Sequence, residues 1–582
     1  MSTLSGEQKA IVEAPLGPLA VIACAGSGKT HTAVYRLIEI RRQLGDSRGR
    51  VALLSFSNVA VQTFRDNYLP LAETLPPGAG RQRVDIDTLD SFITSHLLRP
   101  HAARTMGCPR TPFLVTGTEP FLKNADFAFW VSSAGGKKFP VPSDEIESVV
   151  ANQSGAVTQF SYRSFKTLVP INGGAAVVAR LGKIGAYTHS LGQYWALRTL
   201  QDQPPILKAL VRRYPHILVD ESQDIGTMHQ AILETLAAAG AQITLIGDPA
   251  QGIYDFAGAN GRFLIDYGTK AGVHSYALTR NYRSIPSVVA LANALAVRSD
   301  VAERTVPAQA HGVYFIGYKK AEREKVLIAF QNAVVAADLI VERSAVVCRA
   351  TATADALTGS DSSLGHGLVR QFVRATLLRD QRRDYSGAFK AVASGIAGLL
   401  KKPGEGWLAG VTQPARHPEM KAVRRELWHF TRNPDNGLPD SALVADAQWQ
   451  PRLLNNVRAL LDRLNTNFAL ESADNLGSRL TKAKLPSAPL RAGADLASGP
   501  RANLRIQTVH KVKGETLDAV LYIAEKDHAE ALLAGADTEL GRIGYVAVTR
   551  ARNLIWLAVP SAALDTLRPS LLARGFKEVG TA

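Results

Sequence analysis

Val219-Asp220-Glu221-Ser222-Gln223-Asp224 closes the apolar run Ile217–Val219 with two adjacent acids. Two carboxylates at the end of a buried strand repel each other unless a cation or a reaction uses them. That predicts a catalytic strand end. Far upstream, Leu19–Ala23 leads into Ala23-Cys24-Ala25-Gly26-Ser27-Gly28-Lys29-Thr30. A strand, a loop of small residues and a Lys-Thr pair opening a helix make a phosphate-binding loop. The backbone of Ala25, Gly26, Ser27 and Gly28 is expected to approach the phosphates, with the helix N-terminus favouring the anion. Lys29 is expected at the β/γ oxygens, with Thr30 and Asp220 holding Mg²⁺ and Glu221 acting on the attacking water.

Outward from these stretches, Val51–Ser55 and Ile243–Ile246 read as further buried parallel strands. A second group follows at Val313–Gly317, Ser344–Cys348, Leu504–Thr508, Ala519–Ile523 and Leu554–Val559. The expectation is two α/β cores, at 1–99 with 201–283 and at 284–354 with 501–582. Each is interrupted by a mostly helical insert, at 100–200 and 355–500. Gly135-Gly136-Lys137-Lys138 punctuates the first insert, and a Gly/Ser/Pro-rich stretch at 493–500 leaves the second.

The 582 residues allow roughly three to four domains. Hydrophobic content of 46% with 20% charged residues is that of a globular protein. The 67 basic and 51 acidic residues give +16, which beside a nucleotide site points to a polyanionic partner. Cys24, Cys108 and Cys348 are far apart and form no CxxC pair, which argues against zinc or a disulfide framework and fits a reducing cytoplasm. The polar N-terminus and the lack of a long apolar run predict neither a signal peptide nor a membrane span.

Further motifs, in order, resemble the superfamily 1 DNA helicases of the UvrD/Rep/PcrA type. Ser5-Gly6-Glu7-Gln8 looks like the adenine-reading motif, with Gln8 on the base. Leu54-Ser55-Phe56-Ser57-Asn58 and Asp87-Thr88-Leu89-Asp90-Ser91-Phe92 resemble the two motifs that contact single-stranded DNA. Gly247-Asp248-Pro249-Ala250-Gln251 resembles the motif whose glutamine senses the γ-phosphate. Asn281-Tyr282-Arg283-Ser284 implies Tyr282 stacked on adenine and Arg283 at the γ-phosphate. His510-Lys511-Val512-Lys513-Gly514-Glu515 implies a DNA contact at His510 and nucleotide contacts at Gly514 and Glu515. Tyr545–Ala551 implies Arg550 as the arginine finger. The resemblance implies two RecA-like cores, ATP and Mg²⁺, and 3′→5′ movement on single-stranded DNA and duplex junctions. It also assigns Phe56, Asn58, Thr88, Ser91, Phe256 and His510 to the DNA strand.

Three positions depart from the family pattern. His31 stands where many relatives have arginine, Asp255-Phe256-Ala257 replaces a basic, Trp-containing stretch, and the fifth motif reads Lys-Gly-Glu. The Thr88–Ile93 form with Pro100 after it is similar to short UvrD-like helicases of antiphage systems such as Gabija, which stand beside an OLD-family nuclease. DNA repair or recombination is the other pathway expected. Two rival readings remain: an RNA-tracking helicase, and an ATP-gated DNA-sensing subunit that controls a nuclease with little unwinding.

Overall fold

The computed structural model describes residues 4–580 apart from 77–79, 116–118, 124, 133–137, 142–145, 151–156, 165–166, 172, 256–257, 306–310, 358–363, 382, 402–406, 413–416 and 491–503. The chain divides into two compact units. One comprises Met1–Lys320, Asn332–Ala345 and Val509–Ala582, the other Ala321–Gln331 and Val346–Thr508.

The first unit opens with helix α1 (Gly6–Val12) and strand β1 (Leu19–Ala23), followed by α2 (Lys29–Leu44), β2 (Val51–Ser55), α3 (Asn58–Ala72), β3 (Val84–Thr88) and α4 (Leu89–Ile93). Strands β4 (Phe129–Ser132), β5 (Lys138–Val141), β6 (Ile146–Val150), β7 (Val157–Ser164) and β8 (Thr167–Pro170) come next, then α5 (His189–Asp202). The core resumes with β9 (His216–Val219), α6 (Thr227–Ala238), β10 (Gln242–Gly247) and β11 (His274–Leu278). Six of these strands form one all-parallel sheet in the order β11-β1-β10-β9-β2-β3. A parallel sheet needs helical crossovers that cover both faces, so its central strands are apolar on both sides. Every residue of β2 and β9 is buried. Strands β1 and β9, on either side of β10, therefore deliver the phosphate loop and the acid pair to the same edge, where open α/β sheets bind ligands.

Two buried arginines fix the helix that follows the loop. Arg36 donates to Val12 O at 3.0 Å and Pro15 O at 2.7 Å, tying α2 to the end of α1. Arg41 in the last turn donates to Gly49 O and Gly45 O, at 2.7 and 2.6 Å, where a cation also suits the helix dipole.

The first insert differs from the mostly helical expectation. Antiparallel pairs β4–β5 and β6–β7–β8 occupy much of it. Its apolar side chains, including Phe129, Val131 and Ile146, join one cluster with Leu54, Val219 and Leu245 of the parallel sheet.

The second core carries α7 (Pro286–Ala296) and β12 (Gly312–Tyr318), the adjacent strands β13 (Ala345–Cys348) and β14 (Arg505–Thr508), then β15 (Leu517–Ile523), α8 (Glu539–Thr549), β16 (Ala551–Pro560) and β17 (Lys577–Glu578). Within the first unit these strands run parallel in the order β15-β16-β12-β17. Together the two parallel sheets fit the two α/β cores expected from the strand pattern and the RecA-like pair that the resemblance implies. Between β13 and β14 the second unit is mostly helical among its described residues, around a core that includes Phe372, Phe389, Trp449 and Leu460. Among the described residues no helix is long and apolar enough to cross a membrane.

Candidate nucleotide and nucleic-acid site

The phosphate loop turns on two left-handed glycines, Gly26 at φ +71° and Gly28 at φ +78°. A Cβ on Gly26 would lie 2.5 Å from Cβ of Arg283, and one on Gly28 would lie 2.8 Å from Nε2 of Gln8. Both positions demand glycine for backbone reasons and for close approach. Gln8 reaches the loop through a capping box with Ser5 and donates to Ser27 O at 3.2 Å. Asn281 donates to Ala25 O at 2.7 Å, and Tyr282 N donates to Gly26 O at 2.9 Å. The Asn281 side chain also accepts from the backbone N–H groups of Arg283 and Ser284, each at 2.8 Å. The Tyr282 side chain remains 39% exposed beside this loop, free to meet a base.

Asp220 directly follows β9 in full burial, and its Oδ1 has no hydrogen-bond partner. Burial, together with the neighbouring Glu221, pushes its pKa up. An orphaned carboxylate oxygen lining the same cavity as Thr30 fits a divalent cation. Glu221 sits in the left-handed region at φ +53°. Burial works to raise its pKa, but Lys29, Lys513, the Gln223 amide and Arg550 outweigh that and hold it low. The two acids thus separate into one that resists charge and one that keeps it.

A buried chain of side chains runs from Glu221 to the second core. Gln223 donates to Glu221, and its Oε1 accepts from Asp248 N at 3.0 Å. Gln251 donates to Asp248 Oδ2 at 2.7 Å and accepts from Arg550 Nη2 at 2.7 Å. Arg283 donates to Thr549 O at 2.9 Å. Burial, and then the nearby Arg550, lower the Arg283 pKa to about 9. Buried Arg550 and half-buried Arg283 repel each other electrostatically, and an anion between two cations relieves that repulsion.

More ties join the two cores. Lys513 donates to both Asp224 oxygens at 2.6 Å and to Gln251 O at 2.9 Å, with its ammonium 4.7 Å from the Tyr254 ring centroid. Arg542 donates to Asp255 Oδ2 at 2.5 Å and also to Gly252 O. Asp255 therefore meets a base from the opposite core.

From the acids a cavity of about 1550 Å³ extends past Phe56, His189, His229, Tyr254 and His510. Phe56 meets His229 edge-on at 5.8 Å, and Tyr254 lies 5.8 Å from the ring of His510. Gly514 and Glu515 border the cavity, and Glu515 O accepts from Arg550 at 3.4 Å. Asn58 is exposed at the start of α3. Thr88 caps α4 by accepting from Ser91 N at 3.1 Å, which gives both residues a structural task. Phe256 lies outside the described residues.

Motif reading brought Lys29, Asp220, Glu221, Gln251, Arg283 and Arg550 together, and it missed the groups that link them. Asp248, Gln223, Asn281, Lys513 and Arg298 are those links. Arg298 pairs with Asp300 at 2.8 Å, lies 3.8 Å from Asp248 and donates to Ala23 O at 3.4 Å. Asp248 and Lys513 stand inside quoted motifs, so a polar residue there was the available signal. Arg298 had none.

The arrangement defines a nucleotide-hydrolysing machine in which one core presents the acids and the other presents arginine. Residues 4–121 and 188–270 match the UvrD/REP helicase N-terminal domain. The ATP-dependent DNA helicase UvrD2 of Mycobacterium tuberculosis is 24% identical over 598 residues, covering 94% of this chain and 77% of that protein. DNA helicase II of Escherichia coli is 26% identical over 310 residues, 51% of this chain and 40% of that protein. The ATP-dependent DNA helicase PcrA of Leuconostoc citreum is 21% identical over 300 residues, 50% and 39% of the two chains. These matches support a UvrD/Rep/PcrA-like superfamily 1 helicase.

Proposed function

We propose that this chain hydrolyses ATP to translocate 3′→5′ on single-stranded DNA and to open duplex junctions. The observation that carries the reading is the hydrogen bond from Arg550 of the second core to Gln251 of the first, three links from Glu221. In this reading Gln8 and Tyr282 hold adenine, and the backbone of Ala25–Gly28 with Lys29 holds the phosphates. Glu221, kept charged by the cations around it, orients the attacking water and accepts its proton. Arg283 and Arg550 meet the charge that develops on the γ-phosphoryl group, and such donors act most strongly where water is excluded. Mg²⁺, held by Thr30 and Asp220, would neutralise phosphate charge when bound. Because the charge-stabilising groups come from both cores, nucleotide turnover alternately tightens and loosens the cleft. A strand gripped along the cavity by Phe56 and His510 then moves in steps.

The proposed domains are 1–99 with 201–283, the insert 100–200, 284–354 with 501–582, and the insert 355–500. An OLD-family nuclease partner and an antiphage role rest on the Thr88–Ile93 motif form alone, and repair or recombination is the other pathway consistent with the fold. The deciding experiment is ATP turnover with and without single-stranded DNA, with Lys29→Ala as blank, followed by strand displacement from 3′- and 5′-tailed duplexes. Strong stimulation with 3′-tail preference supports the reading. Stimulation by RNA alone would replace DNA as the track, and turnover without displacement would favour the nuclease-controlling subunit.

A further inference from the structure

Helix α4 is capped by Thr88, whose hydroxyl accepts from Ser91 N, and Asp90 lies in its first turn. Helix α6 brings His229 to it, with Nε2 3.0 Å from Asp90 Oδ1. A carboxylate only accepts, so the imidazole carries a proton on Nε2. Gln193 of α5 donates to the same oxygen at 3.2 Å. Burial acts to raise the Asp90 pKa, but His229, His189 and Gln193 outweigh it and keep the acid ionised. The bonded His229 ring then meets Phe56 edge-on, with ring planes at 76°. His229 is nearly buried, whereas Phe56 is half-buried and opens on the cavity.

Helices α4, α5 and α6 thus meet at Asp90, and through His229 they reach one aromatic side chain just after β2. An isolated Phe at a strand end samples several rotamers, and ordering it has an entropic cost when a base arrives. A ring already braced by a hydrogen-bonded imidazole has met that cost in advance. One edge contact leaves a face of the Phe56 ring for a base.

We propose that Asp90 and His229 are positioning residues that brace Phe56 for stacking on a base of the bound strand, and that Gln193 ties this brace to the first insert. The inference rests on the cavity being the strand track. It also gives Asp90 a task within a motif otherwise occupied by capping.

The test uses the full chain and a dye-labelled oligothymidylate. Fluorescence anisotropy gives binding, and DNA-stimulated ATP turnover gives the DNA concentration for half-maximal rate. For Phe56→Ala, Asp90→Ala and His229→Phe, both quantities are expected to rise roughly tenfold, the loss of about one base stack. The maximal rate at saturating DNA should fall far less. The double variant Asp90→Ala with Phe56→Ala should add nothing to Phe56→Ala alone. Should Asp90→Ala unfold, as thermal melting would reveal, Asp90→Asn keeps the shape, removes the charge and carries the same expectation at smaller size. Unchanged DNA dependence in the Asp90 and His229 variants, with Phe56→Ala weakened, overturns the brace and leaves the helicase reading intact. Additive losses, or equal falls in maximal rate and affinity, overturn it too. A wild-type chain indifferent to the oligonucleotide brings down the helicase reading, and the brace with it.

Discussion

Arg550 of the second core donates to Oε1 of Gln251 in the first at 2.7 Å, with both side chains buried. Arg550, the proposed arginine finger, is therefore already tied to a residue three hydrogen-bond links from Glu221, the proposed catalytic acid. Replacing it removes charge stabilisation without opening the phosphate loop. Arg550→Ala should lower turnover by about 10³-fold or more while leaving nucleotide binding within a few-fold. Steady-state hydrolysis and titration with a fluorescent ATP analogue separate the two effects.

Lys29 and Glu221 should divide binding from chemistry. Lys29→Ala is expected to weaken nucleotide binding and abolish turnover. Glu221→Gln keeps the shape and the Gln223 neighbour, so ATP should bind and remain intact. Hydrolysis by Glu221→Gln at the wild-type rate would reassign the catalytic acid.

Lys513 supplies both hydrogen bonds that Asp224 receives from across the cleft. Burial pushes Asp224 up to about 6 despite that partner. Lys513→Ala leaves the acid buried and unpaired, a change that typically costs about 3–5 kcal/mol. The loss should be larger at pH 8 than at pH 6, because near pH 6 the acid escapes by binding a proton. Thermal melting at the two pH values checks this. The double variant Lys513→Met with Asp224→Leu should recover much of the stability.

His216 begins β9, the strand that leads to Asp220. Burial, and then Arg36 and Arg41, lower its pKa to about 4. In the unfolded chain its pKa is near 6.5, so between those values the unfolded state holds more protons than the folded one. Stability then rises with pH over that window and is lost as pH falls through it, by about 3 kcal/mol in all. Denaturant titrations from pH 4 to 7 should show this slope, and His216→Leu should flatten it.

The residues that were legible in the sequence share one property: their chemistry is local. The phosphate loop is a run of small residues between a strand and a helix, so Gly26, Gly28 and Lys29 can be placed without knowing the fold. The strand runs at 19–23, 51–55 and 554–559 were visible because burial on both faces leaves a mainly apolar run. β3 and β11 escaped because edge strands alternate or carry polar residues, as Val84–Thr88 and His274–Leu278 do. The hairpins of the first insert escaped for a related reason: short strands broken by Gly and Pro show little period. Arg298, Lys513 and the Asp90–His229 pair depend on partners far away in sequence. Only the folded chain reveals them.

The run of side chains from Glu221 to Arg550 has a sense as well as a course. Each of its two amides offers hydrogens to an acid on one side and a lone pair to a donor on the other. Neither can be turned around without confronting like with like at both ends. A Gln→Glu exchange at 223 or 251 alters almost no volume, yet it sets a second negative oxygen against Glu221 or Asp248. The spacing between the cores is thereby written in the polarity of two neutral groups, and a chain that kept every charge in the site could still lose its grip through one of them.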